Sequence, residues 1–333
     1  MINRRTLLKY LSTTPLIASG LNINAKTTEH TSLPISTNKI SLSQWSFHRA
    51  ILGNSKNNYA EFIKTLHSEP DEVLQGSLDP RDICRTARIL GVSHIDLVNV
   101  LFFGHAQDKN WLKEFKNRAR DHQVHFQLLM CDETGQLGAT SKTVRNKSIE
   151  QHLPWLEAAA YLGCKQLRVN AYGEGSYLQQ LDQCADSLSQ LADAAQQHNL
   201  ELLVENHGFA SNNGAWLAML IEHTKHSNLG VFTDLDNFFM GGWGLNPPRL
   251  YDRIQGLYDL APYTRGVSAK THDFDLSGNE TTIDYQQCFS IFETHGFNGF
   301  YSAEFEGDRM SETQGSEATL ALIKKTLSAA RAY

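Results

Sequence analysis

The sequence lacks any apolar run long enough to cross a membrane, any block of like charge, any cysteine pair at redox or metal spacing, and any glycine-rich phosphate loop. Each absence removes a class of function. The most apolar early stretch, Leu11 to Leu21, is short and interrupted by Ser, Thr and Pro15, so it cannot span a hydrocarbon layer of ~30 Å and no stable membrane insertion is expected. The 30 basic residues are outnumbered by 36 acidic ones, a net charge of −6, and no Lys/Arg run offsets that balance. A chain of this sign has no electrostatic reason to hold nucleic acid or an anionic surface. The five cysteines, Cys84, Cys131, Cys164, Cys184 and Cys288, show no CxxC spacing and sit on apolar segments, which favours buried thiols. No Gly-rich turn follows the first apolar run at Trp45, which counts against an open doubly wound sheet.

What is present begins with an address. Asn3-Arg4-Arg5-Thr6-Leu7-Leu8-Lys9 sets paired arginines before a mildly apolar stretch and resembles a twin-arginine export signal, with cleavage expected after Ala25. Residues 1–25 then read as signal peptide, 26–38 as linker and 39–333 as one catalytic domain delivered to the periplasm. The plainer alternative is a frayed basic terminus.

Beyond that leader, short apolar runs alternate with longer amphipathic ones. The runs are Lys39–Trp45, His94–Asn99, Val124–Cys131, Gln166–Asn170, Glu201–Glu205, Gly230–Asp234, Gly266–Lys270 and Gly299–Glu304. Helical patterns fall between them: from Asp79-Pro80 to Leu90 with Gly91 as stop, then Ser148 to Leu162, Ser176 to His198, Asn213–Thr224, Pro248–Leu260, Ile283–His295 and Ser311–Ala330. Eight strand–helix repeats predict an α/β fold, a single (β/α)8 TIM barrel, because parallel neighbours need a crossover.

In such a barrel, chemistry gathers at the C-terminal ends of the strands. Here those ends carry Asn99, Asp132, Arg168 with Asn170, Glu205, Asp234, Lys270 and Glu304, all costly to bury. Any one carboxylate could be a loop salt bridge. A ring of them repels itself unless a cation pairs with it, which favours a divalent metal. The candidate ligands are Glu205, Asp234 and Glu304, with an imidazole from His272. Such a donor set suits Mn²⁺, Mg²⁺, Co²⁺ or Zn²⁺.

The segments Glu205-Asn206-His207-Gly208, Asp234-Leu235-Asp236-Asn237-Phe238, Val267-Ser268-Ala269-Lys270 and Ala303-Glu304-Phe305-Glu306-Gly307 resemble the xylose-isomerase-like TIM-barrel family of sugar isomerases and epimerases. The resemblance runs from about Lys39 to the C-terminus. It implies metal ligands at Glu205, Asp234 and Glu304, with Mn²⁺ the leading candidate. It also implies a reaction in which a proton leaves the carbon next to a carbonyl, giving an enediolate. Glu205 and Glu304 would exchange that proton. Its return to the neighbouring carbon gives isomerisation, and its return to the opposite face gives epimerisation. With a leaving group β to the carbonyl, the same intermediate gives elimination, as for a 3-keto-glycoside. Two departures stand out. The seventh strand reads Ser268-Ala269-Lys270-Thr271-His272-Asp273 where relatives often place a His inside the strand. Either His272 supplies the nitrogen, or Lys270 replaces it and the metal is weaker or absent. Asp236 also stands where a glycine is usual.

Other rim residues are candidates for binding a sugar or glycoside. His207 lies two residues after Glu205. Arg168 and Asn170 share one face of their strand, inward or outward. Trp45 and His48 could offer a stacking face and a polar tip, Asp132 an anchor for Arg168 or a hydroxyl, and Lys270 a charge. Self-association into a homo-oligomer stays open. Two rivals remain. A phosphodiesterase like endonuclease IV would want several metals, more histidines at the strand ends and a basic groove. A periplasmic sugar-binding barrel without catalysis would tolerate the seventh-strand departure.

Overall fold

The computed structural model describes residues 39–241 and 245–330. The arginine pair, the expected cleavage point and the linker lie outside the described residues.

Eight strands form a closed parallel barrel in sequence order. They are β1 Ile40–Ser43, β2 His94–Val98, β3 His125–Met130, β4 Gln166–Asn170, β5 Glu201–Glu205, β6 Leu229–Asp234, β7 Thr264–Thr271 and β8 Phe300–Phe305. β1 closes the ring against β8, with Ser41 opposite Ser302 and Leu42 opposite Ala303. The stretch from β1 to β2 carries α1 His48–Leu52, α2 Tyr59–Ser68 and α3 Ile83–Ile89. One long helix follows each later strand: α4 Lys109–Asp121, α5 Lys142–Leu162, α6 Tyr177–Gln197, α7 Gly214–Thr224, α8 Arg253–Leu260, α9 Tyr285–Thr294 and α10 Glu312–Ala330. No helix among the described residues is long and apolar enough to cross a membrane.

Local chemistry sets these bounds. Asp79 caps the turn that leads into α3 by accepting from the Arg81 amide, with Pro80 beside it at the first position. Ser176 and Gln179 form a reciprocal capping box at α6. Gly163 ends α5 at φ 92°, a left-handed conformation that costs glycine little. Differences from the sequence reading fall at the ends of elements. The first strand stops at Ser43 because Gln44–Phe47 turns into a 3-10 coil, capped by the Ser43 hydroxyl. The fifth helix starts at Lys142 instead of Ser148, its first turns being too polar to show a periodic stripe. The helix expected from Pro248 starts at Arg253, behind an Asp252 cap.

The outer faces of the strands and the inner faces of the helices form one continuous core that includes Leu42, Leu97, Leu202, Val267 and Ala303. All five cysteines are buried and unpaired, as expected from their apolar segments. The alternate residues of β1, β7 and β8 are small and polar: Ser41, Ser268 and Ser302 are fully buried. Beside them on β2, Asp96 is 1% exposed and accepts a hydrogen bond from the Ser41 hydroxyl at 2.5 Å. Burial pushes its carboxyl up to about 7, against the neighbouring Ser302 and Ser41 hydroxyls, which pull it down.

Candidate active site

The strand ends open into a cavity of ≈ 290 Å³. Strand parity puts Arg168 and Asn170 on the inner face of β4, which settles their direction: both point into the barrel. The Arg168 guanidinium lies with Nε 2.6 Å from Glu205 Oε2 and Nη1 2.6 Å from Asp132 Oδ1. Asn170 Nδ2 donates to the same Asp132 oxygen at 2.7 Å, and Asn99 holds the Asp132 backbone from both sides. Asp132 therefore anchors Arg168. Burial alone would raise its carboxyl, but Arg168, His207 and these hydrogen bonds hold it down at about 2.

Across the mouth, Lys270 lies opposite Glu304 in the β7–β8 register. Its Nζ is 3.1 Å from Asp234 Oδ2, 3.3 Å from Glu304 Oε1 and 3.5 Å from Glu306 Oε2. Lys270 is 5% exposed, and the surrounding carboxylates outweigh its burial and hold it as an ammonium. Asp234 is fixed from below: its Oδ1 accepts from the Asp236 and Asn237 amides at 2.7 and 2.9 Å. The Asn206 amide ties the Asp234 backbone in place through Nδ2 and Oδ1. Glu304 Oε2 accepts from the Ser43 hydroxyl at 2.7 Å.

Two carboxyls in this ring are pushed toward the protonated form. Burial raises Glu205, with Asp234 and Glu304 adding to the rise and Arg168 opposing it. Burial likewise raises Glu304, with Lys270 opposing. Glu306 goes the other way. Its burial is outweighed by Lys270, His272 and a hydrogen bond from Trp45, which leave it at about 2. One ring thus holds acids of opposite tendency, an arrangement suited to moving protons.

The remaining predicted residues divide. Trp45 lines the cavity, donating from Nε1 to Glu306 Oε1 at 2.5 Å, with Lys56 Nζ 4.1 Å from its ring centre. His48 does not reach the cavity: its ring stacks behind Trp45 at 4.7 Å and its Nδ1 binds the Trp45 carbonyl. Asn170 supports Asp132 rather than facing the cavity. His207 lines the wall, with Nδ1 2.6 Å from the Tyr172 hydroxyl, and burial lowers it to about 4. His272 departs from its expected role as a ligand. The chain has left the strand by this point, and its Nε2 pairs with Asp236 Oδ2 at 3.0 Å. That bond raises its imidazole.

Sequence reasoning missed Glu306, Tyr172, Asn237, Lys56 and Tyr59, all of which line the cavity. Glu306 and Tyr172 each lie two residues beyond a predicted site residue, so continued alternation could have found them. Lys56 and Tyr59 come from the long β1–α3 connection, which carries no such signal.

The closed barrel and this rim define the class: the chain belongs to the xylose isomerase-like TIM barrel family, whose model matches residues 84–326. Among curated proteins it is 31% identical over 132 residues to a probable endonuclease 4 of Campylobacter concisus, covering 37% of this chain and 46% of that one. It is 33% identical over 99 residues to a C-glycoside deglycosidase alpha subunit of Arthrobacter globiformis, covering 30% and 25%. The matches thus span less than half the length of either relative. Its fold is shared with 3-keto-D-glucoside 4-epimerase from E. coli, at TM-score 0.57 and 16% identity, over 74% of this chain and 94% of that chain. It is also shared with a xylose isomerase-like TIM barrel protein from Mycobacterium smegmatis in complex with magnesium, at TM-score 0.56 and 15% identity, over 74% and 89%.

A neighbour that holds magnesium sharpens the question of a metal here. The expected carboxylates Glu205, Asp234 and Glu304 do converge. Glu205 Oε2 and Asp234 Oδ2 are buried without a well-directed hydrogen bond, as vacant ligand atoms would be. Each already has a cation in contact, however: Arg168 Nε at 2.6 Å and Lys270 Nζ at 3.1 Å. Among the described residues, no group of three or more His, Cys, Asp or Glu side chains is arranged to hold a metal ion. An ion sharing Asp234 and Glu304 would need the space that Nζ fills. A divalent ion about 3 Å from an ammonium meets repulsion on the order of 10 kcal/mol at an effective dielectric of about 20. With His272 turned to Asp236 as well, these residues do not fit the expected four-ligand site.

Proposed function

We propose that the protein is a carbohydrate isomerase or epimerase that moves a proton on the carbon beside a carbonyl, acting on a sugar, keto-sugar or keto-glycoside. The observation that carries this reading is the pair Glu205 and Glu304. Both are buried, both enter one cavity, and they stand three strands apart around the ring. Burial lifts both above the ordinary carboxylate range, toward the protonated form that an acid–base group must be able to reach. One takes the proton from carbon and either returns it to the neighbouring carbon or leaves the other to deliver a proton of its own to the opposite face.

The cavity also supports a neutral, hydroxyl-rich substrate. Five acidic side chains line it (Asp132, Glu133, Glu205, Glu304 and Glu306) against three basic ones, Lys56, Arg168 and Lys270, so even with Glu205 and Glu304 protonated there is no excess of positive charge. That balance disfavours a phosphodiester or a phosphorylated sugar. Trp45 offers an aromatic wall to a sugar ring, and the Tyr172–His207 pair offers hydroxyl partners. Carried by a twin-arginine signal to the periplasm, the enzyme would meet glycosides more readily than sugar phosphates. Elimination from a 3-keto-glycoside is a second outcome of the same chemistry, favoured by the partial match to a C-glycoside deglycosidase subunit.

The test is a mass-spectrometric screen of keto-sugars and 3-keto-glycosides for deuterium uptake from D2O. Exchange at the carbon next to the carbonyl is expected for at least one substrate. Binding of these compounds with no exchange in any of them would replace the enzyme reading with a binding protein.

A further inference from the structure

We propose that the ammonium of Lys270 fills the cation position between Asp234 and Glu304, so that this chain stabilises its enolate with a fixed organic cation in place of a divalent metal ion. The inference rests on the enolate reading above, but its geometry stands alone. Nζ lies 3.1 Å from Asp234 Oδ2 and 3.3 Å from Glu304 Oε1, with Glu306 Oε2 as a third, looser contact at 3.5 Å. The backbone registers that put it there are those of the barrel itself. Lys270 lies across from Glu304, and Asp234 lies across from Ser268, two residues earlier on the same strand face. Ser268 is too short to compete for the spot, and its buried hydroxyl has no hydrogen-bond partner. The imidazole expected as a ligand, His272, is taken by Asp236.

Lys270 also lines the cavity, so Nζ faces substrate as well as carboxylates. In the reaction, a carboxylate accepts the proton from carbon. The C–H electron pair becomes the new C–C π bond, and the carbonyl π pair moves onto oxygen. An Nζ–H donor meets that oxygen as its charge develops, where a charge-assisted hydrogen bond is strongest. The loose Glu306 contact is the one such an oxygen would replace. Return of the proton to carbon reverses the electron flow, and Lys270 is unchanged at the end.

The experiment is a Mn²⁺ titration of the full chain, followed by the electron paramagnetic resonance of the free ion, for the wild type and Lys270→Ala. The wild type is expected to take up no stoichiometric Mn²⁺. The variant, with its carboxylates relieved of the ammonium, is expected to bind one ion at least about 100-fold more tightly. Stoichiometric uptake by the wild type would overturn the proposal, as would a folded Lys270→Ala that binds no better. Should that variant fail to fold, the wild-type titration decides alone. Neither arm needs a substrate, so a failed deuterium screen would sink the proposed function and leave this result standing.

Discussion

Asp96→Asn should make the protein more stable relative to the wild type as pH rises, and the size of the gain can be worked out. Asp96 lies inside the barrel with one oxygen bonded to the Ser41 hydroxyl and the other, Oδ1, without a partner. No cation stands among the groups that set its proton affinity, and Glu304 above it adds repulsion. Its carboxyl rises from 3.8 to about 7. The folded state therefore keeps a proton that the unfolded chain releases. The stability this gives is whole below about pH 4, shrinks as pH climbs and is gone above about pH 7. Moving that proton's release from 3.8 to about 7 corresponds to about 4 kcal/mol. Asparagine has nearly the same shape and never ionises, so it removes the pH-dependent part alone. Urea unfolding of both proteins at intervals from pH 4 to pH 8 measures it. The difference in unfolding free energy should move in the variant's favour by about 2–4 kcal/mol over that span, the lower figure allowing for relaxation around the charge. A difference that stays flat with pH would refute the reasoning, because it would mean that Asp96 ionises in the fold as easily as in water.

Arg168→Met strands Asp132 as an unpaired buried carboxylate and removes the charge that opposes protonation of Glu205, and should cost about 3–5 kcal/mol in denaturant unfolding at pH 7. Glu304→Gln keeps the Ser43 contact but cannot accept a proton. Turnover should vanish while circular dichroism and the unfolding midpoint stay close to wild type. Trp45→Phe removes the hydrogen bond to Glu306 but leaves an aromatic wall. A KM increase of about 5–10-fold with little change in kcat is expected from the loss of about 1 kcal/mol of positioning.

Much of this fold was legible because a parallel barrel buries both faces of its strands. Runs such as Glu201–Glu205 and Gln166–Asn170 appear at their observed bounds. α1 and α2 were not legible. They fill the β1–α3 connection, where His48–Leu52 is a single turn and a half and no regular strand–helix beat applies. In the site, the convergence of Glu205, Asp234 and Glu304 followed from strand ends alone. What joins them did not. Positions 268, 270 and 272 share one parity, and alternation by itself would point all three inward. β7 ends at Thr271, however, so Lys270 keeps its inward direction while His272 follows the bend of the loop toward Asp236. The choice between the two residues depended on where hydrogen bonding to β8 stops, and sequence marks such an endpoint poorly.

The seam between the first and last strands has a consequence for how the rim is assembled. β1 is only four residues long, yet Ser43 holds Glu304, Ser46 binds the backbone on both sides of it, and Trp45 holds Glu306. A chain whose β1 has not docked is therefore an open sheet and also one whose Glu304 and Glu306 have lost their supports. Closure of the barrel and assembly of this rim arrive in one step, and ligands that grip Glu304 and Glu306 should guard that seam against unzipping.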